Sequence, residues 1–213
     1  MHELQTKLLT DTWVVATWDE FIQAINDPGC EKAKGYYYEG ELRIEMLPVG
    51  PDHASDNTII LFAVNLFCIL KGIPLKGLIN CSYRKVGVQE CQPDVSYYIG
   101  EKAKLAPTGT SVVDLNNTPA PDLAIEVAST SIADDLGRKR LLYEEIEVDE
   151  YWVVDVQKAQ IVAFSIADGG SRRINQSQVL PGLEITLLQE ALGRSRQMDN
   201  TQVGAWLLEQ MQN

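Results

Sequence analysis

The chain has 213 residues, of which 45% are hydrophobic and 23% are charged, as is typical of an ordinary globular protein. Its 30 acidic and 18 basic residues give a formal charge of −12, which argues against a broadly basic surface that coats nucleic acid but allows a local basic groove. The four cysteines form no CxxC pair and only two histidines are present, so a thiol-based metal site is not expected. No secretory signal is recognisable, and we therefore expect reduced cysteines and a cytoplasmic location.

Three regions are predicted along the chain: an N-terminal segment over 1–16, one folded domain over 17–190, and a C-terminal tail with a short helix over 191–213. The first element of the domain is a helix in "TWDEFIQAI". Thr17 suits its N-cap and Glu20 follows three residues later, which is the spacing of a capping box.

A strand and a long helix come next. The stretch "GYYYEGELRIEM" alternates apolar and charged residues, which predicts one half-buried strand with Glu41, Arg43 and Glu45 on its polar face. After the break at "PVGP", an apolar helix is predicted from Asp52 to about Lys71. Its apolar run, "IILFAVNLFCIL", is shorter than the roughly 20 residues that span a bilayer, so we expect a buried helix and no membrane contact.

The second half of the chain predicts mainly strands. The segments "LINCSYRKV" and "ECQPDVSYYI" suit a hairpin, and the long loop after them contains one short strand candidate, "SVVDL". A strand is predicted in "APDLAIEVAST", a helix from about Ser131 in "SIADDLGRKRLLYEEIEV", and two strands in "EYWVVDV" and "QIVAFSI". A short strand leads towards a helix in "LPGLEITLLQEAL", and "VGAWLLEQM" predicts a terminal helix. The expected fold class is α/β (α+β), with a mixed central β-sheet flanked by helices.

Glu126 places a charge in the middle of the apolar stretch "APDLAIEVAST". Alternation puts Ala124, Glu126 and Ala128 on one face of the strand, where the small neighbours leave space for a ligand or an ion; an ordinary charge on an exposed face is the other interpretation. Asp122 cannot share an ion with Glu126, because four residues of strand span roughly 13 Å and oxygen ligands lie about 2.0 to 2.6 Å from the ion. Asp94 in "QPDVSYYI" can reach Glu126 if the two strands pair.

Lys139 lies in the helix predicted after this strand. On the helical period it shares a face with apolar residues, whereas Arg138 and Arg140 point elsewhere. An inward lysine could polarise an attacking water and stabilise charge on a phosphate. A solvated basic run over 138–140 is the other interpretation.

The order of these motifs resembles a known family. The "PD" that contains Asp94, the "IEV" that contains Glu126, and a helical Lys139 before "YEEIEVDEYWVVDV" are similar to the Uma-two restriction endonuclease family, a branch of the PD-(D/E)XK nuclease superfamily. The resemblance extends over about 18–188 and implies a restriction-endonuclease-like fold with a metal-dependent phosphodiester hydrolase site. It implies Asp94 and Glu126 as ligands of Mg²⁺ (or Mn²⁺) and Lys139 as the catalytic lysine. The superfamily's usual lysine position is Ala128 here, so the resemblance implies a lysine supplied from the helix.

Two features of the resemblance leave further site residues open. Relatives carry a glutamate in a "YEL.DGEL"-like segment, and Tyr36 stands at that place in "YYYEGEL". Glu39, Glu41 or Glu45 could substitute for it, or could be solvent-facing charges. His53 matches a histidine of the relatives, and it either contacts a phosphate or ligand or caps and packs the helix.

The resemblance implies DNA as the substrate and basic side chains that contact its backbone. The candidates for these contacts are Arg84, Lys85, Arg138, Arg140, Arg172 and Arg173. The alternative function is a catalytically inactive nuclease-fold module that binds nucleic acid or protein. A homodimer is expected because cutting both strands usually needs two sites. A structural homo-oligomer is a second alternative, with "EYWVVDV" and the terminal helix as its interface, although packing in the protein interior explains Tyr151 and Trp152 equally well.

Overall fold

The computed structural model describes residues 10–46 and 49–212, so most of the predicted N-terminal segment lies outside the described residues. The helices are α1 Trp18–Ile25, α2 Pro51–Lys71, α3 Ile132–Leu136, α4 Arg138–Ile146, α5 Ile185–Ser195 and α6 Asn200–Gln212. The strands are β1 Val14–Val15, β2 Lys34–Tyr38, β3 Glu41–Glu45, β4 Leu75–Ile79, β5 Tyr83–Lys85, β6 Gln89–Cys91, β7 Val95–Ile99, β8 Val113–Asp114, β9 Leu123–Ala128, β10 Glu150–Asp155, β11 Gln160–Ala167 and β12 Gly170–Ile174. Short 3₁₀ turns lie at Pro28–Cys30 and Gly100–Leu105.

The described strands form two six-stranded sheets. The first sheet has the order β1-β3-β2-β6-β5-β8, and the second has the order β12-β11-β10-β9-β7-β4. Each sheet is mixed, because β5 pairs in parallel with β8 and β9 pairs in parallel with β10, while their other neighbours are antiparallel. The predicted mixed α/β class with flanking helices is confirmed, with the strands divided between two sheets.

The two faces of β9 pack against different layers. Leu123, Ile125 and Val127 lie in a large core formed with α2, α5 and α6. Ala124 and Ala128 lie in a second core, where β2 of the first sheet and α4 cover the other face. The alternation predicted for this strand is therefore confirmed, and Glu126 faces the second core.

The ends of the first two helices follow their sequence signals. Thr17 Oγ1 accepts a hydrogen bond from the Glu20 amide at 3.3 Å, and Glu20 Oε2 accepts one from the Thr17 amide at 2.7 Å, which completes the predicted capping box. Helix α2 begins at Pro51 and is followed by Gly72, whose φ of 66° is the left-handed conformation that glycine adopts readily. These ends determine the position of the N-terminal residues of α2, which include His53.

Helix α2 is long and apolar enough to cross a membrane by length and composition, and 44% of its apolar window is buried inside the protein. Its buried residues share a core with Val203, Leu207 and Met211 of α6. The predicted terminal helix therefore exists and docks against α2.

Two predicted elements are each divided in two in the structure. The stretch "GYYYEGELRIEM" forms the hairpin β2–β3, which turns at Glu39 and Gly40, and Arg43 on its supposed polar face is only 4% exposed. The helix predicted from Ser131 is broken at Gly137, where an added Cβ would lie 2.8 Å from the carbonyl oxygen of Ala133. The backbone approaches so closely there that the chain forms two short helices.

The candidate dimer interface in "EYWVVDV" is wrong. This segment is β10, which lies between β9 and β11, and Tyr151 and Trp152 are fully buried inside the protein. The sequence pattern also missed β12 at the edge of the second sheet. In "LPGLEITLLQEAL", the predicted strand is reduced to one bridge between Gln176 and Glu184 ahead of α5.

Candidate active site

Pairing of β7 with β9 brings Asp94 and Glu126 together, as the sequence predicted. Val95 is opposite Ile125 in this antiparallel pair, so Asp94 lies just beyond the ladder on the Glu126 side. Asp94 Oδ2 accepts a hydrogen bond from the Val127 amide at 2.8 Å. Asp122 lies away from them at the start of β9, where its Oδ2 accepts from the Ile99 amide at 2.7 Å.

Glu126 is 2% exposed and is held by two phenols. Its Oε1 accepts hydrogen bonds from Tyr36 at 3.0 Å and from Tyr143 at 2.8 Å. Burial raises the pKa of Glu126 to about 8, against the opposing charges of Lys139 and Lys34. The carboxyl group is therefore largely protonated at neutral pH in the metal-free protein, while its oxygen stays fixed.

Asp94 is ionised, in contrast to Glu126. Lys34 Nζ lies 2.5 Å from Asp94 Oδ1, and His53 Nε2 lies 3.6 Å from the same oxygen. Burial alone would raise the pKa of Asp94, but the interactions with His53 and Lys34 hold it below its usual range. The two acids of the site thus have different protonation states at the same pH.

Lys139 points inward from α4 and is 1% exposed. Its Nζ lies 2.8 Å from Glu45 Oε1, 2.8 Å from Asp135 Oδ1 and 3.9 Å from Glu126 Oε1. The same ammonium lies 4.0 Å from the centre of the Tyr36 ring. Burial alone would lower the pKa of Lys139, but the surrounding carboxylates raise it above its usual range, so the side chain is a fixed cation and a donor.

These side chains line one cavity of about 270 Å³. It is open to solvent between the first and second sheets. Its main polar lining residues are Lys34, Arg43, Glu45, His53, Asp94, Glu126, Ser129, Ser131 and Lys139. With Asp11 included, four acids, two lysines, one arginine and one histidine therefore face the same small space.

The other acidic candidates divide between two places. Glu39 is exposed in the β2–β3 turn with a φ of 47°, and Glu41 pairs with Arg138, so neither lines the cavity. Glu45 does line it, and it accepts a hydrogen bond from Arg43 Nε at 2.7 Å while it holds Lys139. Glu45 thus stands beside the Tyr36 position where relatives were expected to carry a glutamate.

None of the predicted DNA-contact residues lines the cavity. Arg84 pairs with Glu90, and Arg140 Nη1 donates to Ser171 Oγ at 2.7 Å. Lys85 is exposed in the β5–β6 hairpin, and Arg172 and Arg173 are exposed on β12. Most of these arginines therefore support the protein's own surface.

Sequence reasoning identified Lys139 but missed Asp135, Tyr143 and Lys34, which also shape the site. Asp135, Lys139 and Tyr143 are spaced by four residues, and all three reach the neighbourhood of Glu126. That spacing was a usable signal, because residues four apart share one helix face. Lys34 carried no such signal, since only the packing of the first sheet brings it to Asp94.

The donor set suits a hard divalent cation. Asp94 and Glu126 offer carboxylate oxygens, which Mg²⁺ and Mn²⁺ prefer, and the ammonium of Lys34 beside Asp94 marks that oxygen as a place for positive charge. Within 10–46 and 49–212, no group of three or more acidic, cysteine or histidine side chains is arranged to hold a metal ion alone. Water and substrate would have to complete the coordination sphere, which is usual for Mg²⁺. The residues therefore fit a weakly held ion.

The fold and this acid and lysine cluster are those expected of a nuclease-like protein. The family described as "Uma2: Putative restriction endonuclease" matches residues 18–200. The chain belongs to this family.

A solved structure supports the same fold. It is described as a putative nuclease belonging to DUF820 from Anabaena variabilis, and it is 18% identical to this chain with a TM-score of 0.58. The match covers 83% of this chain and 98% of that chain. No curated protein matches the sequence.

Proposed function

We propose that this protein is a cytoplasmic, Mg²⁺-dependent endonuclease that hydrolyses phosphodiester bonds in DNA. The proposal rests on one observation: Asp94, Glu126 and Lys139 line the same cavity in a chain that belongs to a restriction endonuclease family. Asp94 and Glu126 would hold the metal ion, with the backbone carbonyl of Val127 as a further candidate. A bound Mg²⁺ or Mn²⁺ supplies a nearby positive charge that acidifies water and neutralises phosphate oxygens.

The two acids would contribute in different ways. Asp94 is ready to bind a cation at neutral pH because its pKa is lowered, although Lys34 must then give up its contact. Glu126 must lose a proton first, because its pKa is about 8. Metal binding is therefore coupled to proton release and is favoured as pH rises.

Lys139 would orient the attacking water or the scissile phosphate. Because Glu45 and Asp135 fix its ammonium at 2.8 Å each, little conformational entropy is lost when a substrate arrives. Its raised pKa makes it a hydrogen-bond donor and an electrostatic stabiliser instead of a general base.

Cleavage of plasmid DNA and short oligonucleotides with Mg²⁺ or Mn²⁺ tests the proposal. We expect Glu126→Gln and Lys139→Met to lower the cleavage rate by roughly 100-fold or more, since the first removes a carboxyl group that would bind the metal ion and the second removes a cation that would contact the phosphate. Glu190→Gln and Lys158→Met make the same chemical changes at exposed positions away from the cavity and should leave the rate unchanged.

Cleavage that survives both Glu126→Gln and Lys139→Met would contradict the site assignment. The alternative is an inactive module, favoured by the Lys34 ammonium that already neutralises Asp94. DNA binding by the wild-type protein without cleavage under either metal would support that alternative. For a homodimer that cuts both strands, α6 is the remaining candidate interface, because Leu208 on it is 38% exposed.

A further inference from the structure

A second cavity of about 360 Å³ adjoins the candidate active site. The two cavities share Lys34, Val49, His53 and Asp94, so they are neighbouring compartments that meet at these residues. The volume falls in the range of about 300 to 1,000 Å³ that is typical of small-ligand sites. Of the residues that line this compartment, the proposed metal binding uses only Asp94.

The walls of the second cavity are mainly apolar. Ala54 and Leu61 contribute from α2, and Ile79 contributes from the end of β4, where its side chain is 56% exposed. Apolar walls suit the faces of a flat ring better than they suit a hydrated sugar or phosphate.

Two buried polar atoms in its lining lack a partner. His53 Nδ1 and Asn57 Oδ1 are both buried and make no hydrogen bond to any residue in the described part of the chain. His53 and Asn57 lie four residues apart on α2, and both residues contribute to the lining of this cavity. Since buried polar atoms are normally paired, a ligand with hydrogen-bonding groups along its edge would satisfy them.

We propose that this second cavity binds one nucleobase of the substrate, next to the scissile phosphate. A nucleobase combines apolar faces with a polar edge, which matches the walls and the two unpartnered atoms. Lys34 lies between the compartments, where the negatively charged backbone of the same nucleotide passes. The position of the phosphate rests on the proposed function, whereas the base pocket rests on the cavity itself.

Binding of mononucleotides to the full chain tests the base pocket without metal. The probes are the four deoxynucleoside 5′-monophosphates and deoxyribose 5-phosphate, measured by calorimetry or ligand-observed NMR in EDTA. We expect at least one nucleotide to bind at least tenfold more tightly than the base-free sugar phosphate. Asn57→Leu, which removes the amide, and Leu61→Trp, which fills the cavity, should each weaken that binding at least tenfold.

Asn65→Leu is the matched control, because Asn65 lies on the same helix outside the cavity. It should bind the nucleotides as the wild type does, and circular dichroism should show that each variant is folded. Equal binding of the nucleotides and the base-free probe, or unchanged nucleotide binding in both cavity variants, would overturn the proposal.

The two proposals fail separately. A protein that binds nucleotides through Asn57 but cuts no DNA with Mg²⁺ or Mn²⁺ supports the base pocket and contradicts the proposed function. A protein that cuts DNA, loses cleavage in Glu126→Gln, and binds the base-free probe as tightly as the nucleotides contradicts the base pocket alone.

Discussion

The side chain of Glu126 is held in place by hydrogen bonds while its carboxyl group is still protonated. Tyr36 and Tyr143 both donate to the same oxygen, which leaves the other oxygen to carry the proton. Ala124 and Ala128 on the same face are buried in the second core and do not line the cavity, so they leave no open space beside Glu126. The residue is therefore an anchored neutral acid in the metal-free protein.

The stability of the protein should depend on pH through Glu126. Its folded pKa of about 8 lies above the ordinary value of 4.5, so the folded state holds the proton more tightly than the unfolded state. The resulting stabilisation is complete below about pH 4.5 and is lost as pH rises through about 8. We expect the wild type to lose up to about 5 kcal/mol relative to Glu126→Gln over this range.

Urea unfolding of both proteins in EDTA at pH 5, 6.5 and 8.5 measures this difference. The glutamine variant keeps a neutral side chain of the same shape, so it removes the titration and little else. If the difference in unfolding free energy between the two proteins is the same at all three pH values, Glu126 titrates near its ordinary pKa.

Part of the candidate site was predictable from single residues. Strand alternation and the exclusion of Asp122 pointed to Asp94 and Glu126, and the helical period pointed inward for Lys139 and outward for its arginine neighbours. Lys34 was not predictable, because a lysine near the start of a strand is normally solvated and only the neighbouring sheet buries it at 7% exposure.

At the scale of elements, the break between α3 and α4 positions Lys139. Gly137 lies between the two helices, two residues before Lys139. Asp135 on α3 and Lys139 on α4 still form an ion pair across the break. The orientation of Lys139 therefore depends on the close approach of the backbone at Gly137 to the carbonyl oxygen of Ala133, which leaves no room for a side chain at residue 137.

Gly137→Ala should disturb both stability and the candidate site. The new Cβ would lie 2.8 Å from the Ala133 carbonyl oxygen, so we expect a loss of about 1 to 3 kcal/mol in unfolding free energy. Cleavage should fall at least about tenfold, because the start of α4 must shift. Thermal unfolding and cleavage rates measure the two effects.

Gly193→Ala is the control for this change. An added Cβ at Gly193 in α5 meets nothing within 4 Å, so the variant should be unchanged or up to about 1 kcal/mol more stable. Equal stability of the two variants would show that the approach at Gly137 relaxes without cost.

The helix break could not be read from the sequence. A single glycine inside a helical pattern lowers helix propensity by only about 1 kcal/mol, which packing easily offsets. The pattern around it remained helical, and the decisive contact with Ala133 exists only in three dimensions. By contrast, α1 and α2 carried capping and terminating residues whose effect is local.

At the scale of the whole molecule, one buried ion pair ties its last part to α2. Asp56 is fully buried, and Arg196 donates to its two oxygens at 2.5 and 2.6 Å and to the Val156 carbonyl oxygen at 3.0 Å. Arg196 lies between α5 and α6. The pair therefore joins the end of the chain to the central helix, while the predicted boundary at 190 stays a prediction.

Arg196→Met should destabilise the protein by about 3 to 5 kcal/mol, because it leaves a buried carboxylate without its partner. Chemical denaturation measures the loss. Arg194→Met is the matched control, since Arg194 pairs with the exposed Glu190 and should cost about 1 kcal/mol or less. Similar losses in the two variants would mean that the Asp56 pair contributes no more than a surface contact.

The fold class followed from the order of strands and helices, but the division into two sheets did not. Alternation tells which face of a strand is apolar and does not tell which strand lies beside it. Cys91 at the end of β6 and Val95 at the start of β7 are close in sequence, yet they belong to different sheets. Pairing between strands that are distant in the sequence decides to which sheet each strand belongs, and such pairing produces no pattern in the local sequence.

The division into two sheets also has a mechanical consequence. Lys34 and Glu45 belong to the first sheet, whereas Glu126 belongs to the second and Asp94 immediately precedes β7 of the second, so the contacts between them cross the boundary between the two sheets. Sliding of one sheet along the other would separate these charges. A ligand that contacts residues of both sheets would resist that sliding. Binding of a ligand in the cavity should therefore make the whole molecule more rigid. A substitution that alters the packing of either sheet should change the cavity even though the substituted residue does not line it.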